Sequence, residues 1–126
     1  MRIHHVGCVS NNIHEDLQWI QKIYEVRSMS DIIYDELQNA SVCLVCVNGG
    51  LDIELVSGKQ VENLQKKGHT YYHLCYEIDD IDVEIERFLK TDAILVSAKK
   101  PAKLFDNRLV AFLYTKIGLI ELLQAN

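Results

Sequence analysis

The chain repeats one order of sequence features. "HVGCVSNNIHEDLQWIQKIY" starts at His5 and "HLCYEIDDIDVEIERFLK" starts at His73, and each places a histidine in a strand-like segment before an amphipathic helix. The later stretches "GLDIELV" and "IGLIELL" are short apolar strands, interrupted by Glu54 and Glu121. His73 follows His5 by 68 residues, and Glu121 follows Glu54 by 67. This repeat predicts two copies of one unit, strand–helix–strand–strand–strand.

The repeat also predicts the domain organisation. We expect an α+β fold in a single domain spanning 1–126, with module one at about 1–57, a linker at about 58–69 and module two at about 70–126. The strand that follows each helix is placed in "RSMSDIIYDEL" in module one and in "AILVSA" in module two. Both modules should then contribute to one curved sheet.

Helical spacing of apolar residues predicts which face of each helix is buried. The first helix should bury Leu17, Ile20 and Ile23–Tyr24, and the second should bury Ile81, Ile85 and Phe88–Leu89. Asn12 and Asp79–Asp80 lie where the two helices should start, because their side chains can cap free N–H groups. Trp19 lies one residue off the first stripe, and we expect it to serve in packing.

Composition narrows the class of protein. The net charge is −5 with both signs spread along the chain, which argues against a nucleic-acid-binding surface. No apolar run reaches the roughly 20 residues that cross a bilayer, so we expect a soluble, cytoplasmic protein without membrane contact. The four cysteines are expected to be reduced thiols. Cys43 and Cys46 form a CxxC, but strand alternation sends them to opposite faces, so they should not bind one metal.

Four side chains in matched positions of the repeat predict a metal site. Strand alternation separates Glu54 and Glu121 from the apolar residues on either side of them, so both should point to the inner face of the sheet. A buried carboxylate is costly unless it is paired or binds a metal. With His5 and His73, these carboxylates suit Zn, Ni, Co, Mn or Fe. His4 should point away from His5, and His14 and His69 receive no role.

These residues resemble the vicinal oxygen chelate superfamily, in its glyoxalase and methylmalonyl-CoA epimerase group, over essentially the whole chain. The resemblance implies two βαβββ modules that form a cupped mixed sheet around one divalent metal ion. By position, "HHVG", "DIELV", "YHLCYEIDDID" and "LIELL" supply the ligands His5, Glu54, His73 and Glu121. "PAKLFDNRLVAFLYTKIGLIELL" looks most like the epimerase branch.

The chain departs from the epimerase pattern in two places. Epimerases often have glutamine as second ligand, where this chain has Glu54, and they use a glutamate base on a strand of module one. The expected register puts Gln38 at that base, with Glu36 two residues away. The His, Glu, His, Glu set looks more like bacterial glyoxalase I. However, the arginine with which glyoxalase I holds glutathione has no match in "VGCVSNN".

The resemblance implies proton transfer next to a carbonyl, by a lyase or isomerase that acts on an acyl-CoA thioester or a glutathione hemithioacetal. Glu121 is the expected base, with Glu36 or Gln38 across the pocket, and a homodimer is expected. Lys100, Lys103 and Arg108 are candidates to bind the phosphates of coenzyme A. Two alternatives stay open: a small-molecule-binding protein of the drug-resistance type without turnover, and a ring-cleaving dioxygenase. A fourth ligand argues against the dioxygenase, which usually holds iron with two His and one Glu.

Overall fold

A computed structural model describes residues 1–126 as one nine-stranded mixed sheet with three helices. The helices are α1 (Ile13–Ile23), α2 (Glu62–Lys66) and α3 (Ile81–Leu89), and two 3-10 turns span Lys59–Val61 and Lys103–Phe105. The strands are β1 (Arg2–Val9), β2 (Val26–Met29), β3 (Ile33–Asp35), β4 (Ala40–Val47), β5 (Asp52–Ser57), β6 (Tyr71–Ile78), β7 (Ile94–Ala102), β8 (Arg108–Thr115) and β9 (Gly118–Gln124).

The two modules join edge to edge in the middle of the sheet. The strand order is β2-β4-β5-β1-β6-β9-β8-β7, and β3 pairs with β4 at the edge of module one. In each module the first strand pairs in parallel with the last, β1 with β5 and β6 with β9. The first strands of the two modules, β1 and β6, pair antiparallel with each other. This arrangement confirms the predicted α+β fold of two modules sharing one cupped sheet.

The strand predicted after the first helix is divided into two. β2 and β3 both pair with β4, and residues 36–39 form a turn rather than the end of a strand. The Asp35 side chain accepts hydrogen bonds from the backbone N–H groups of Leu37 and Gln38, at 3.1 and 3.3 Å, which favours a turn over continued strand. The predicted strand register of Glu36 and Gln38 is therefore wrong. The stretch 58–69, predicted as a linker, contains the first 3-10 turn and α2.

Helices α1 and α3 cover the outer face of the sheet and form its core there, whereas Leu64 of α2 packs on the inner-face cluster of Val9, Val42 and Val56. Asn12 and Asp80 cap α1 and α3 as predicted: Asn12 accepts a hydrogen bond from the Glu15 N–H, and Asp80 accepts from the N–H groups of Asp82 and Val83. Helix α1 buries Ile13 and Ile20. Ile23 is 62% exposed, so the prediction that the buried face of α1 extends to Ile23 is wrong. Trp19, expected to pack inside, is 57% exposed. Two clusters bury the apolar faces of the helices: Ile13, Ile20, Cys43, Val45, Val47 and Leu55 under α1, and Ile78, Ile81, Ala111, Leu113, Ile120 and Leu122 under α3.

The burial of α1 leads to a stability prediction with a matched control. We expect Ile20→Ala to lower the free energy of unfolding by about 2–5 kcal/mol, because it leaves a cavity in the core. Ile23→Ala removes the same atoms from an exposed position and should change that free energy by less than about 0.5 kcal/mol. Urea denaturation followed by circular dichroism measures both. Equal losses in the two variants would contradict the observed orientation of α1.

Candidate metal centre

Four buried side chains from four adjacent strands meet on the inner face of the sheet. They are His5 on β1, Glu54 on β5, His73 on β6 and Glu121 on β9, and one donor atom of each lies within 4.8 Å of the other three. The register of the strand pairs explains why these four side chains lie together. Glu54 pairs with Gly7, two residues after His5, and Glu121 pairs with Cys75, two residues after His73. Two residues is one strand period, so all four side chains share a face.

The distances between the donor atoms are those expected around one metal ion. His5 Nε2 lies 3.2 Å from His73 Nε2, and Glu121 Oε1 lies 3.1 and 3.2 Å from these two nitrogens. Glu54 Oε1 lies 3.4 and 3.5 Å from the same nitrogens. Two ligand atoms about 2.1 Å from one ion, at angles of about 90 to 110°, are roughly 3.0 to 3.4 Å apart. The donor set therefore fits a divalent cation.

Hydrogen bonding inside the protein does not satisfy this cluster. Glu121 Oε1 and His73 Nδ1 are buried and have no hydrogen-bond partner outside the cluster. Burial raises the pKa of Glu121, but hydrogen bonds and charge from His5 and His73 outweigh burial and hold that pKa far below its usual range. Burial lowers the pKa of His5, but Glu54 and hydrogen bonds to Cys75, Glu121 and Glu54 raise it well above its usual value. Without metal, a proton on His5 balances part of the carboxylate charge.

Gly7 makes room for one of the ligands. It lies opposite His73 in the β1–β6 pair, and a Cβ atom placed on Gly7 would lie 2.1 Å from Cε1 and 2.3 Å from Nδ1 of His73. Those separations are far shorter than a van der Waals contact, so any side chain at position 7 would displace the imidazole. Sequence reasoning missed this residue. The signal was a glycine inside a strand, which often marks a close approach of another group.

Two bulges in the β1–β6 pair turn the residues before the histidines onto the inner face. A register shift between Ile3 and His5 leaves His4 as an extra residue on β1. A second shift, between Gly7 and Cys8, leaves Tyr72 as an extra residue on β6. As a result His4 Nδ1 lies 2.9 Å from His5 Nδ1. The prediction that His4 points away from His5 is therefore wrong, because simple alternation does not hold across a bulge. Tyr72 likewise packs among the inner-face residues Val9, Val42 and Val56 rather than under α3.

Aromatic side chains and a turn from module two cover the cluster. Phe105 stacks on His5 with ring centres 5.2 Å apart, and Phe112 meets the His73 ring edge-on at 5.3 Å. Phe105 belongs to the 3-10 turn Lys103–Phe105, whose Lys103 backbone N–H donates to Asp35 Oδ2 of module one at 3.0 Å. Asp35 is a buried carboxylate that sequence reasoning also missed. Its hydrogen bond joins module one to the module-two turn that covers the cluster.

The fold and the site can be compared with known proteins. Residues 4–112 match the glyoxalase/bleomycin resistance protein/dioxygenase superfamily. The chain belongs to this superfamily. The match confirms the resemblance to the vicinal oxygen chelate proteins. A comparison with curated protein sequences found no significant match.

Solved structures with the same fold include methylmalonyl-CoA epimerases. The epimerase from Mycobacterium tuberculosis superposes with a TM-score of 0.83 at 19% identity, over 99% of this chain and 88% of that one. A hypothetical protein from Bacillus halodurans C-125 gives 0.79 at 18% identity, over 99% and 94%. A Streptomyces coelicolor methylmalonyl-CoA epimerase in complex with 2-nitronate-propionyl-CoA gives 0.75 at 17% identity, over 99% and 94%. At these identities the likeness establishes the superfamily fold.

The other candidate residues of this superfamily member lie outside the cluster of four. Glu36 is exposed in the β3–β4 turn, and the Gln38 side-chain amide donates to Asp35 Oδ2 at 3.2 Å. Arg108 is paired with Glu77 at 2.7 Å and donates to the Phe105 carbonyl at 3.3 Å. Lys100 is half-buried on β7 and Lys103 is exposed, and neither forms an ion pair.

The remaining cysteines and histidines agree with the sequence analysis in most respects. All four cysteines are free thiols. Cys43 is buried under α1 with Val45 and Val47, and Cys46, an odd number of residues away, lies on the other face, as predicted. His14 and His69 are exposed. None of the three helices is long and apolar enough to cross a membrane. The cytoplasmic location and the homodimer stay predictions.

Gly7 leads to a prediction about metal affinity. Gly7→Ala should weaken binding of a divalent ion at least tenfold, because the new methyl group overlaps His73. Gly50→Ala is the matched control, since a Cβ there meets only Val47 Cγ2 at 3.4 Å. Competition with a chromophoric chelator measures the affinities. Wild-type affinity in Gly7→Ala, with its circular dichroism spectrum unchanged, would contradict this role.

The raised pKa of His5 leads to a prediction about pH. A group whose pKa is higher in the folded state stabilises the protein below its unfolded pKa, about 6.5, and this stabilisation is lost as pH rises through the folded pKa. The melting temperature of the metal-free protein should therefore fall as the pH rises above about 6.5. With saturating metal it should rise instead, because metal and proton compete for His5. Differential scanning calorimetry tests both slopes, and parallel slopes would contradict the competition.

Proposed function

We propose that this protein is a metal-dependent enzyme that transfers a proton at a carbon next to a carbonyl, in an acyl-CoA thioester or a related thioester-forming substrate. One observation carries the proposal. Two imidazole nitrogens and two carboxylate oxygens meet at 3.1 to 3.5 Å on the inner face of a cupped sheet, and all four side chains are buried. Burying these carboxylates and imidazoles costs desolvation free energy, and a bound cation offsets that cost.

His5, Glu54, His73 and Glu121 would hold the ion. Imidazole and carboxylate ligands suit Zn, Ni, Co, Mn or Fe. Bound there, the ion supplies Lewis-acid stabilisation of the negative charge that develops on a carbonyl oxygen when the adjacent carbon loses a proton. The choice of metal is then set by availability as much as by affinity, because these ligands do not select one ion strongly.

Glu121 is the side chain we assign as base. Its Oε1 is buried 3.1 and 3.2 Å from the two imidazole nitrogens, and the lowered pKa keeps the carboxylate ionised, which is the form that a base requires. Glu54 occupies the equivalent place in the other module. It lies on β5, which is the neighbour of β1, just as Glu121 lies on β9, the neighbour of β6. An epimerase must return a proton to the opposite face of the carbon, and this pair offers one carboxylate from each side of the module junction.

The surroundings of the cluster support charge chemistry. Phe105 and Phe112 contact the two imidazoles, and Cys75, Val110 and Leu123 form an apolar cluster on the same side of the sheet. Low-dielectric surroundings strengthen every interaction between the ligands and a developing oxyanion. These side chains also limit water near a carbon that has lost its proton.

The fold likeness supports a coenzyme A thioester as substrate, since epimerases of this fold bind methylmalonyl-CoA and its analogue. Lys100 and Lys103 are the candidates to bind its phosphates, because they form no ion pair in the protein. Arg108 is a weaker candidate than the sequence suggested, since Glu77 already binds its guanidinium.

Deuterium exchange tests the proposal directly. Metal-loaded protein in heavy water should label methylmalonyl-CoA at C2, or should convert the hemithioacetal of methylglyoxal and glutathione to the hydroxyacyl thioester. Glu121→Gln should lower the exchange rate by roughly 10²- to 10⁴-fold, because the amide cannot accept the proton. Mass spectrometry and proton NMR measure the label.

Glu36→Gln is the matched control. It removes an exposed carboxylate of the β3–β4 turn and should leave the exchange rate unchanged. If Glu36→Gln abolished exchange while Glu121→Gln did not, the base would be Glu36. If metal-loaded protein labelled neither substrate but bound an aromatic antibiotic tightly, the protein would be a binding module of the drug-resistance type.

A further inference from the structure

We propose that His4 is a positioning residue for the metal ligand His5, and this inference rests on the proposed metal site. His4 Nδ1 lies 2.9 Å from His5 Nδ1, within hydrogen-bond distance. Through this hydrogen bond His4 fixes the tautomer and the ring orientation in which His5 presents Nε2 to the metal.

The tautomers follow from the positions of the nitrogen atoms. His5 Nε2 faces Glu54, His73 and Glu121 at 3.1 to 3.4 Å, so it is the nitrogen that binds metal and must keep a lone pair. A neutral imidazole then carries its proton on Nδ1. That N–H points at His4 Nδ1, which must accept the hydrogen bond. His4 is therefore the Nε2–H tautomer, and its own ring orientation is restricted.

The β-bulge at His4 makes this contact possible. In a regular strand, neighbouring side chains point to opposite faces and could not approach to 2.9 Å. The extra residue in β1 turns His4 onto the inner face. Phe105 holds it there, because its ring meets the His4 ring edge-on at 5.3 Å and stacks on the His5 ring. The bulge and the aromatic cover thus place an acceptor directly behind one ligand.

The second histidine ligand has no such partner. Tyr72 occupies the repeat-related bulge before His73 and meets its ring edge-on at 4.5 Å, yet His73 Nδ1 has no hydrogen bond. Instead, the His73 ring packs closely over the backbone of Gly7, in the space that a side chain at position 7 would fill. The two modules therefore orient their imidazoles by different means, by a hydrogen bond in module one and by close packing in module two. The loss of His4 should affect only the first.

Two substitutions separate hydrogen bonding from packing. His4→Phe keeps an aromatic ring against Phe105 but removes the acceptor, and it should weaken Zn²⁺ binding about 10- to 100-fold in chelator competition. His4→Asn keeps an acceptor oxygen near the position of Nδ1 and should bind Zn²⁺ within about threefold of wild type. Thermal unfolding of both metal-free variants checks that each is folded. His14→Phe, at an exposed histidine, is the control for the assay.

A spectroscopic measurement reports the hydrogen bond itself. In Zn²⁺-loaded protein labelled with ¹⁵N-histidine, we expect a nitrogen–nitrogen coupling between the Nδ1 atoms of His4 and His5, and a protonated Nε2 on His4. A merely structural role for His4 would not produce this coupling. A proton on His4 Nδ1, wild-type affinity in His4→Phe, or equal losses in the Phe and Asn variants would each overturn the proposal.

The outcomes also separate this inference from the proposed function. Cys75 Sγ and the Nδ1 side of His4 and His5 lie close enough to bind an ion of their own. A second equivalent of Zn²⁺ in wild type that is lost in His4→Phe would replace the positioning role with a second metal site. Wild-type protein that binds no metal would overturn both proposals. Metal binding that depends on His4 in protein that exchanges no deuterium would overturn the enzymatic function alone.

Discussion

The antiparallel pairing of β1 with β6 is the constraint on which the rest of the structure depends. It sets Gly7 opposite His73 and Cys75 opposite His5, so the two imidazoles lie side by side on one face. The parallel pairs on either side then bring Glu54 and Glu121 to the same place. A shift of one residue in the β1–β6 register would send one histidine to the helix side, where apolar side chains of α1 or α3 already pack.

This pairing brings together charges that folding alone does not stabilise. Two buried carboxylates and two imidazoles within 4.8 Å have too few donors for their lone pairs, and Glu121 Oε1 has no partner outside the cluster. Most of the inner face around them is apolar, as a core would be. The protein therefore combines a sheet of ordinary stability with a local arrangement whose free energy depends on a cation or on protons.

Much of this could be predicted from the sequence, because the repeat carries the information twice. The matched positions of His5 and His73, and of Glu54 and Glu121, predicted the four side chains that meet, and the caps Asn12 and Asp80 marked both helices. The prediction from strict strand alternation failed at His4, because a bulge is a property of the pairing and not of one strand, and the bulge at Tyr72 breaks the alternation in the same way. The turn at Glu36–Asn39 has a local cause, the Asp35 side chain, that the strand assignment overlooked. The exposure of Ile23 and Trp19 depends on where the rest of the fold ends over α1. The sequence shows a glycine at position 7, but its role depends on the His73 ring, which comes from the other module.

The position of the ligands along the chain has a mechanical consequence. His5 is on the first strand and Glu121 on the last, so an ion held by both ties the two ends of the chain together and closes nearly all of it into one loop. Such a crosslink lowers the entropy of the unfolded chain, as a disulfide between distant residues does. Each module supplies only two ligands, so neither can hold the ion in this way by itself. Metal release would then remove this crosslink and leave the β1–β6 pairing to join the two halves.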